Sequence, residues 1–283
     1  MRRVLDGDRR VAVMAIVNRT PDSFHDRGRT FALDRAVEAA ERAVADGADW
    51  VDIGGVPFSA EAPDVSEAEE LDRVLPVVEA VRAATDAVIS VDTYRTEVAR
   101  AAVAAGADVV NDTSGLHDPD LAGVIASTGA TLVVTHSLAN PPRTKVVRPT
   151  YDDVVAEVAG FLTGRVQFAL DQGVRREQLV IDPGHDLNKN TYHSLELTRR
   201  LGEITALGYP TLVALSNKDF IGETLDRPQH ARLSGSLAAL VVCVLAGARV
   251  VRVHDVAESV AAVRMTEAIL GLREPAWTRH NMV

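Results

Sequence analysis

Short runs of β-branched residues alternate with alanine-rich amphipathic stretches along the chain. The β-branched runs predict eight strands, at 11–18, 49–55, 87–93, 108–115, 131–137, 179–185, 210–218 and 249–256. Each run begins apolar and is followed by a stretch with helical periodicity, which is the crossover that two successive parallel strands require. The pattern therefore predicts an α/β fold built on a parallel sheet.

Glycine marks the return from helix to strand before four of the predicted strands, at Gly47, Gly106, Gly129 and Gly247. An open, doubly wound sheet would show the same alternation, but eight strands followed by helices favour a closed (β/α)8 TIM barrel. No linker or shift in composition divides the chain. We therefore expect one domain over residues 1–283, with its core at about 11–270.

Polar side chains cluster where the predicted strands end, at Asn18, Asp52, Asp92, Asn111, Asp112, His136, Asp182, Lys218, Arg252 and His254. In a closed barrel these ends meet on one face, which is where such barrels carry their active sites. Taken singly, each residue could instead cap a helix or satisfy a turn. The repetition from strand to strand favours a functional site.

Composition and charge limit the fold and the binding partners that the chain can have. The chain is 47% hydrophobic but only 4% aromatic, which suits a barrel interior of Val, Ala, Leu and Ile. Its net charge of -10 argues against a nucleic-acid partner or an anionic membrane surface, so any anionic ligand must bind locally. Cys243 is the single cysteine and lies in an apolar run, which predicts a buried packing role and excludes an intrachain disulfide.

The chain also lacks the sequence features of export. Its first ten residues, MRRVLDGDRR, are charged and contain no apolar segment typical of a signal peptide. No apolar stretch approaches the roughly 20 residues that span a bilayer. We expect a cytoplasmic protein with no membrane partner.

Three of the strand-end residues suit recognition of a heterocycle. Asp92, Asn111 and Asp182 supply carboxylate and amide groups. These match the adjacent donors and acceptors on the amino-pyrimidine edge of a purine or a pterin.

Arg252 and His254 suit recognition of an anion. They are two residues apart on the last predicted strand, so their side chains point the same way. A guanidinium binds phosphate in bidentate fashion, and a histidine can donate a hydrogen bond or a proton to a departing phosphate oxygen. Asn18 ends the first strand, which neighbours the eighth in a closed barrel. A structural ion pair between Arg252 and Asp255 is the alternative.

The chain resembles the dihydropteroate synthases through motifs that occur in the order and spacing of that family: NRTPDSF (18–24), DIGG (52–55), SVDT (90–93), NDTSG (111–115), the lone His136, DPG (182–184), SNKDFIG (216–222), RLSGSLA (232–238) and RVHDV (252–256). The match covers nearly the whole chain. The resemblance implies a barrel that binds 6-hydroxymethyl-7,8-dihydropterin pyrophosphate, expels pyrophosphate and joins the pterin to p-aminobenzoate in folate biosynthesis.

The resemblance also implies roles for individual residues. Pterin-pocket positions fall at Asp92, Asn111, Asp182 and Lys218, and pyrophosphate positions fall at Asn18, Arg252 and His254. Lys218, Arg252 and His254 are the candidate catalytic residues. Asn18 is the candidate ligand of Mg²⁺, which needs few protein ligands when substrate phosphates supply oxygens. The implied partners are a small-molecule pterin or phosphate ligand and a second copy in a homodimer.

The chain departs from the family pattern in three loops. After DIGG, the family's Ser-Thr-Arg-Pro-Gly loop is replaced by residues 56–61, so an arginine is lost. After the seventh strand, Asn217 and Asp219 flank Lys218 where the family has Arg and Ser, and Ala214 replaces a glycine. After DPG, the family's Gly-Phe-Gly-Phe gives way to residues 185–188, which removes an aromatic side chain.

These departures predict a homologue with little or no synthase activity and a weakened dihydropterin pyrophosphate site. His25 or Arg27 in the first loop is the candidate to supply the lost charge. The alternatives are a working synthase or a related condensation on another nucleophile, and a noncatalytic binding protein. A pterin-binding barrel for corrinoid methyl transfer fits SNKDFIG and RVHDV less well.

Overall fold

Eight parallel strands form one sheet in the computed structural model, which describes residues 5, 10–18, 33–57, 64–140, 142–144 and 148–281. The strands are β1 (Ala12–Asn18), β2 (Trp50–Gly54), β3 (Val88–Asp92), β4 (Val109–Asp112), β5 (Thr131–Thr135), β6 (Leu179–Asp182), β7 (Leu212–Ala214) and β8 (Val250–Val253). All eight coincide with predicted strands and are shorter than predicted.

The sheet curls into a barrel that is nearly closed. Its strand order is β6-β5-β4-β3-β2-β1-β8-β7, so β6 and β7 form the two edges. These edges meet through a parallel bridge between Ile181 and Thr211, and the Ile181 amide donates to the Pro210 carbonyl at 2.9 Å. The predicted single-domain (β/α)8 barrel is confirmed, and the open doubly wound sheet is excluded.

Helices follow the strands and surround the sheet: α1 (Leu33–Ala45), α2 (Glu67–Ala84), α3 (Thr96–Ala104), α4 (Leu121–Thr128), α5 (Val154–Asp171), α6 (Thr191–Arg199), α7 (Leu201–Thr205), α8 (Asp219–Leu225), α9 (Leu233–Leu245) and α10 (Val256–Ile269). The four glycines predicted to end helices all have positive φ. Gly129, for example, ends α4 at φ 78° while its amide donates to the Ile125 carbonyl.

The barrel interior contains a layer of apolar side chains: Met14, Trp50, Val109, Val133, Val180, Leu212 and Val250. Larger apolar clusters fill the space between the strands and the helices. Because side chains alternate along a strand, the residue two positions after an inward-facing apolar residue also faces inward. This alternation directs Asp52, Asn111, Asp182 and Arg252 into the barrel above its apolar layer.

Cys243 is fully buried in α9, as the sequence predicts. Burial raises the pKa of its thiol to about 12, so the thiol stays protonated at neutral pH. Across the described ranges, no helix has both the length and the apolar character needed to cross a membrane.

Candidate active site

The strand register places four residues in one row at the carboxyl end of the barrel. Asn18 on β1 lies opposite Gly54, and Gly54 lies opposite Asp92. Asp92 in turn lies opposite Asn111 on β4. A Cβ atom on Gly54 would lie 2.7 Å from Asn18 Oδ1, so the bare backbone at Gly54 leaves room for the Asn18 carboxamide. The row therefore places Asn18, at the predicted anion-binding end of the site, next to Asp92 and Asn111, at the predicted heterocycle-binding end.

Asp52 organises the polar interior below this row. Its fully buried carboxylate accepts hydrogen bonds from Ser90 Oγ at 2.6 Å and from Asn111 Nδ2 at 3.1 Å. It also forms an ion pair with Arg252, whose Nε lies 2.6 Å from Asp52 Oδ2. Sequence reasoning placed Asp52 at a strand end but assigned it no role. Its function here is to hold two of the predicted ligand-binding side chains in position.

Arg252 forms ion pairs across the barrel rather than with its neighbour along the chain. Its Nη2 lies 3.3 Å from Asp92 Oδ2, in addition to the contact with Asp52. Asp255 instead accepts a hydrogen bond from Asn217 Nδ2 at 3.3 Å. The alternative pair between Arg252 and Asp255 is therefore not formed. The guanidinium lies inside the barrel mouth, as the strand alternation predicts.

The Asn111 carboxamide has one unused acceptor. Its Nδ2 atom donates to Asp52, and this bond fixes which end of the amide is the oxygen. Among the described residues, buried Asn111 Oδ1 has no hydrogen-bond partner. A buried acceptor without a partner costs free energy that a ligand N–H group can recover.

Asp182 and Lys218 lie on the β6 and β7 side of the mouth. Asp182 Oδ1 accepts from the Gly184 amide at 2.7 Å. Burial raises the pKa of the Asp182 carboxyl, against the opposing charge of Lys218. Burial likewise lowers the pKa of Lys218, against the opposing charges of Asp186 and Asp182, and its Nζ donates to the His185 carbonyl.

His254 lies after the end of β8 and contacts the loop that follows β7. Its Nδ1 lies 3.2 Å from Ser216 Oγ, and its backbone amide donates to the same oxygen at 3.3 Å. Ser216 thereby connects the predicted phosphate end of the site to the loop that carries Lys218.

Two polar strand ends do not face the site. Asp112 turns away from the barrel axis and accepts from the amides of Ser114 and Leu116, which makes it a turn residue. His136 packs edge-on against Phe161 of α5, with ring centroids 4.8 Å apart. For these two residues the structural alternative, satisfaction of a turn or of the packing, is the correct one.

Lys189 was missed by sequence reasoning. Its buried Nζ lies 2.9 Å from His136 Nδ1, and it donates to the carbonyls of Gly184 at 2.9 Å and Leu187 at 3.0 Å. Burial lowers its pKa to about 7, against the opposing charge of Asp182. Lys189 thus holds the loop after β6 against the end of β5.

Arg143 is a second missed residue, from the loop between β5 and α5. Its Nη2 lies 2.6 Å from Asp92 Oδ1, and its Nη1 donates to the Val56 carbonyl in the loop after β2. Burial raises the pKa of the Asp92 carboxyl, while the charges of Arg143 and Arg252 oppose the rise. Both guanidinium groups thus share one carboxylate.

Comparison with known proteins identifies the family. The sequence profile of the family described as pterin binding enzyme matches residues 14–254. The chain is 46% identical over 282 residues to inactive dihydropteroate synthase 2 of Mycobacterium tuberculosis, covering 98% of this chain and 88% of the relative. It is 39% identical over 256 residues to dihydropteroate synthase of Haemophilus influenzae, with 90% and 93% coverage. The chain belongs to the dihydropteroate synthase family.

Solved structures agree with this assignment. The dihydropteroate synthase of Xanthomonas albilineans, determined with 4-aminobenzoic acid, matches this homologue with a TM-score of 0.85 and 40% identity. The alignment covers 92% of this chain and 93% of that chain. The resemblance inferred from the motifs is confirmed.

The loop after β6, where residues 185–188 stand in place of the family motif, contains two residues with a side chain and a left-handed backbone. Asp186 and Asn188 have φ values of 62° and 53°. Asp186 accepts from Ser194 Oγ at 2.8 Å and from the Phe220 amide at 3.2 Å. Aspartate and asparagine are the side-chain-bearing residues that tolerate this conformation best. In this dihydropteroate synthase homologue the loop is therefore anchored by its new side chains.

The substitutions after β7 are also integrated into the structure. Asn217 has φ 61°, and its backbone amide donates to Ser236 Oγ at 3.0 Å. The Asp219 side chain is 83% exposed and pairs with Arg232 at 2.9 Å. Asp219 is the first residue of α8, and its negative charge is thus at the surface and balanced by Arg232.

The remaining departure lies partly outside the described residues, and the residues expected to compensate for it lie wholly outside them. His25 and Arg27, the candidates to replace the lost loop arginine, belong to residues 19–32, which the structure does not describe. In the loop after β2, Val56 and Pro57 are described and residues 58–63 are not.

Proposed function

We propose that this dihydropteroate synthase homologue binds a dihydropterin, free or as its pyrophosphate, and forms little or no dihydropteroate. The unused acceptor Asn111 Oδ1 supports pterin binding most directly, since it is buried on a side chain that contacts Asp52 and lies opposite Asp92. An amino-substituted pyrimidine edge offers the N–H donors that such acceptors require.

The phosphate end of the proposed ligand would contact Asn18, Arg252 and His254. Arg252 supplies a desolvated positive charge, which favours the negative charge that develops on a departing pyrophosphate. Lys218 and His254 are the further candidates to contact the reacting groups.

Mg²⁺ is part of this proposal. In the described residues, no group of three or more His, Cys, Asp or Glu side chains could enclose a metal ion. Asn18 offers one carboxamide oxygen at the mouth, a donor set that fits Mg²⁺ held largely by the oxygens of a bound pyrophosphate. The ion would supply charge neutralisation of the leaving group.

The proposed lack of synthase activity rests on the rewritten loops. Asn217 takes the place of the family arginine before Lys218. Its side-chain amide donates a hydrogen bond to the Asp255 carboxylate. The loop after β2 has lost its arginine. The relative from Mycobacterium tuberculosis, which is named an inactive synthase, is 46% identical to this chain.

Titration calorimetry tests the binding proposal. We expect 6-hydroxymethyl-7,8-dihydropterin pyrophosphate with Mg²⁺ to bind the purified chain saturably, and Asp182→Asn to weaken binding about tenfold or more, because it removes a charged acceptor. Asp152→Asn, an exposed carboxylate outside the barrel mouth, is the matched control. No binding by the unchanged protein would contradict the proposal.

A homodimer and a cytoplasmic location, both expected from the sequence, are further parts of the proposal. Apolar side chains are exposed on two adjacent helices, with Val242 and Leu245 on α9 and Met265 and Ile269 on α10. Leu245 and Leu270 line the same surface cleft. This apolar surface of α9 and α10 suits contact with a second copy.

A further inference from the structure

Arg143 links the rewritten loop after β2 to the heterocycle end of the site. Its Nη2 lies 2.6 Å from Asp92 Oδ1, and its Nη1 donates to the Val56 carbonyl. The guanidinium also lies over the Tyr94 ring, 5.6 Å from its centroid. Only 8% of the Arg143 side chain is exposed, so its charge is removed from solvent.

Arg143 also has an uncommon backbone conformation. Its φ is 63°, in the left-handed region that residues with a side chain seldom adopt. The left-handed backbone therefore costs conformational energy at Arg143, the residue whose side chain enters the site.

The Oδ1 atom of the Asp92 carboxylate already has two hydrogen-bond donors. Oδ1 accepts from Arg143 and from Thr113 Oγ1 at 3.4 Å, and Oδ2 accepts from Arg252 at 3.3 Å. The Asp92 side chain is 3% exposed. A ligand that donates a hydrogen bond to Asp92 Oδ1 therefore competes with Arg143 for that atom.

Moving Arg143 has an electrostatic consequence that depends on the ligand. A neutral heterocycle that hydrogen-bonds to Asp92 breaks the desolvated ion pair between Asp92 and Arg143. Because it carries no negative charge, it leaves the Arg143 guanidinium without a counterion. A heterocycle that carries a phosphate or a carboxylate provides a new counterion for the displaced guanidinium. The two kinds of ligand share the same ring contacts and differ in what they offer Arg143.

We propose that Arg143 is a specificity-determining residue that makes the pocket select heterocycles bearing an anionic group over neutral heterocycles with the same ring. The proposal rests on the pterin-binding function proposed above and adds the class of pterin that the site accepts. Arg143 acts as a competitor for Asp92 when the ligand is neutral, and as a ligand-binding group when the ligand is anionic.

Calorimetry with the full chain tests this selectivity. The probes are neutral 6-hydroxymethylpterin, pterin-6-carboxylate, and 6-hydroxymethylpterin with inorganic pyrophosphate added. We expect the unchanged protein to bind the carboxylate about tenfold more tightly than the neutral pterin, and added pyrophosphate to tighten binding of the neutral pterin. The carboxylate and pyrophosphate arms distinguish the two sources of anion.

Variants assign the selectivity to Arg143. Arg143→Met should bind the neutral pterin more tightly than the unchanged protein does and lose the preference for the carboxylate. Arg143→Lys keeps the positive charge but lacks the paired N–H donors of a guanidinium, so it should retain part of the preference for the carboxylate. Arg148→Met removes an exposed arginine from the same connection between β5 and α5 and should leave the preference unchanged.

The outcomes separate this inference from the function on which it rests. Pterins that bind the unchanged protein with equal affinity, whatever their charge and with or without pyrophosphate, would overturn the role of Arg143 and leave the binding function intact. So would a preference that persists in Arg143→Met. If no pterin binds either protein, the proposed function fails and the inference fails with it. If Arg143→Met does not fold, a preference for the carboxylate that is undiminished in Arg143→Lys would overturn the role of Arg143.

Discussion

His136 shows how one buried ring makes stability depend on pH. Burial, together with the charge of Lys189, lowers its pKa from 6.5 to about 3. Between these values the unfolded chain binds a proton that the native protein does not. The free energy of unfolding contributed by His136 is therefore fully present above about pH 6.5 and is lost as the pH falls towards 3.

We expect His136→Gln to remove this part of the pH dependence. Between about pH 7.5 and about pH 5, the unchanged protein should lose about 2 kcal/mol more free energy of unfolding than the variant. Urea unfolding of both proteins at the two pH values measures the difference. The raised pKa values of Asp92 and Asp182 act in the opposite direction, but they are common to both proteins and cancel. Equal losses would show that the native ring is protonated in this range.

His185 is a buried polar residue whose replacement should stabilise the protein. Within the described part of the chain, neither of its ring nitrogens has a hydrogen-bond partner. Burial holds its pKa well below the ordinary value, and the ring stacks on Phe220 with centroids 6.2 Å apart. An unsatisfied buried group costs about 1–3 kcal/mol, so His185→Phe should raise the free energy of unfolding by about 1 kcal/mol or more.

Urea unfolding measures this gain, with His230→Phe as the control. His230 is exposed, and its replacement should change stability by less than about 0.5 kcal/mol. A loss of stability in His185→Phe alone would show that the imidazole has a structural role at this position.

At the scale of elements, the start of α6 sets the position of the loop that carries Lys189. Asn190 caps this helix, with Oδ1 accepting from the His193 amide at 2.9 Å. Asn190→Ala should lower the free energy of unfolding by about 1 kcal/mol, while Asn190→Asp should keep most of it because aspartate caps equally well. Equal destabilisation in the two variants, by urea unfolding, would contradict the capping role.

The strands could be predicted because a run of β-branched residues is a local signal, whereas their ends could not. β7 was predicted over 210–218 and spans Leu212–Ala214, because the polar residues after Ala214 form the loop of the site. Register decides which polar strand ends face inward. Thr135 lies opposite Asp182, so the next residue, His136, points towards the helices instead.

Arg143 could not have been found from any pattern. It lies in a connection without periodicity, and its partner Asp92 is 51 positions away along the chain. The contacts of Asp52 on β2 depend on side chains from three other strands, β3, β4 and β8, in the closed barrel. Family motifs predict the residues of the candidate site, but only the fold shows which of them already neutralise one another.

At the scale of the whole molecule, the apolar surface of α9 and α10 should set the oligomeric state. Leu245 is 58% exposed and Ile269 is 70% exposed. We expect Leu245→Glu to shift the protein from dimer to monomer in sedimentation velocity, because a carboxylate is desolvated at the contact. Leu138→Glu, at an exposed leucine in another part of the molecule, should leave the dimer intact. A monomeric unchanged protein would contradict the dimer.

The proposed function has two halves: the barrel binds a pterin pyrophosphate, and it does not join the pterin to p-aminobenzoate. One single-turnover measurement tests both halves. The protein is mixed with Mg²⁺, equimolar 6-hydroxymethyl-7,8-dihydropterin pyrophosphate and excess p-aminobenzoate, and the bound pterin and the dihydropteroate are then quantified. We predict bound, unconverted pterin pyrophosphate. Dihydropteroate formed at an ordinary enzyme rate, about one turnover per second or faster, would contradict the account.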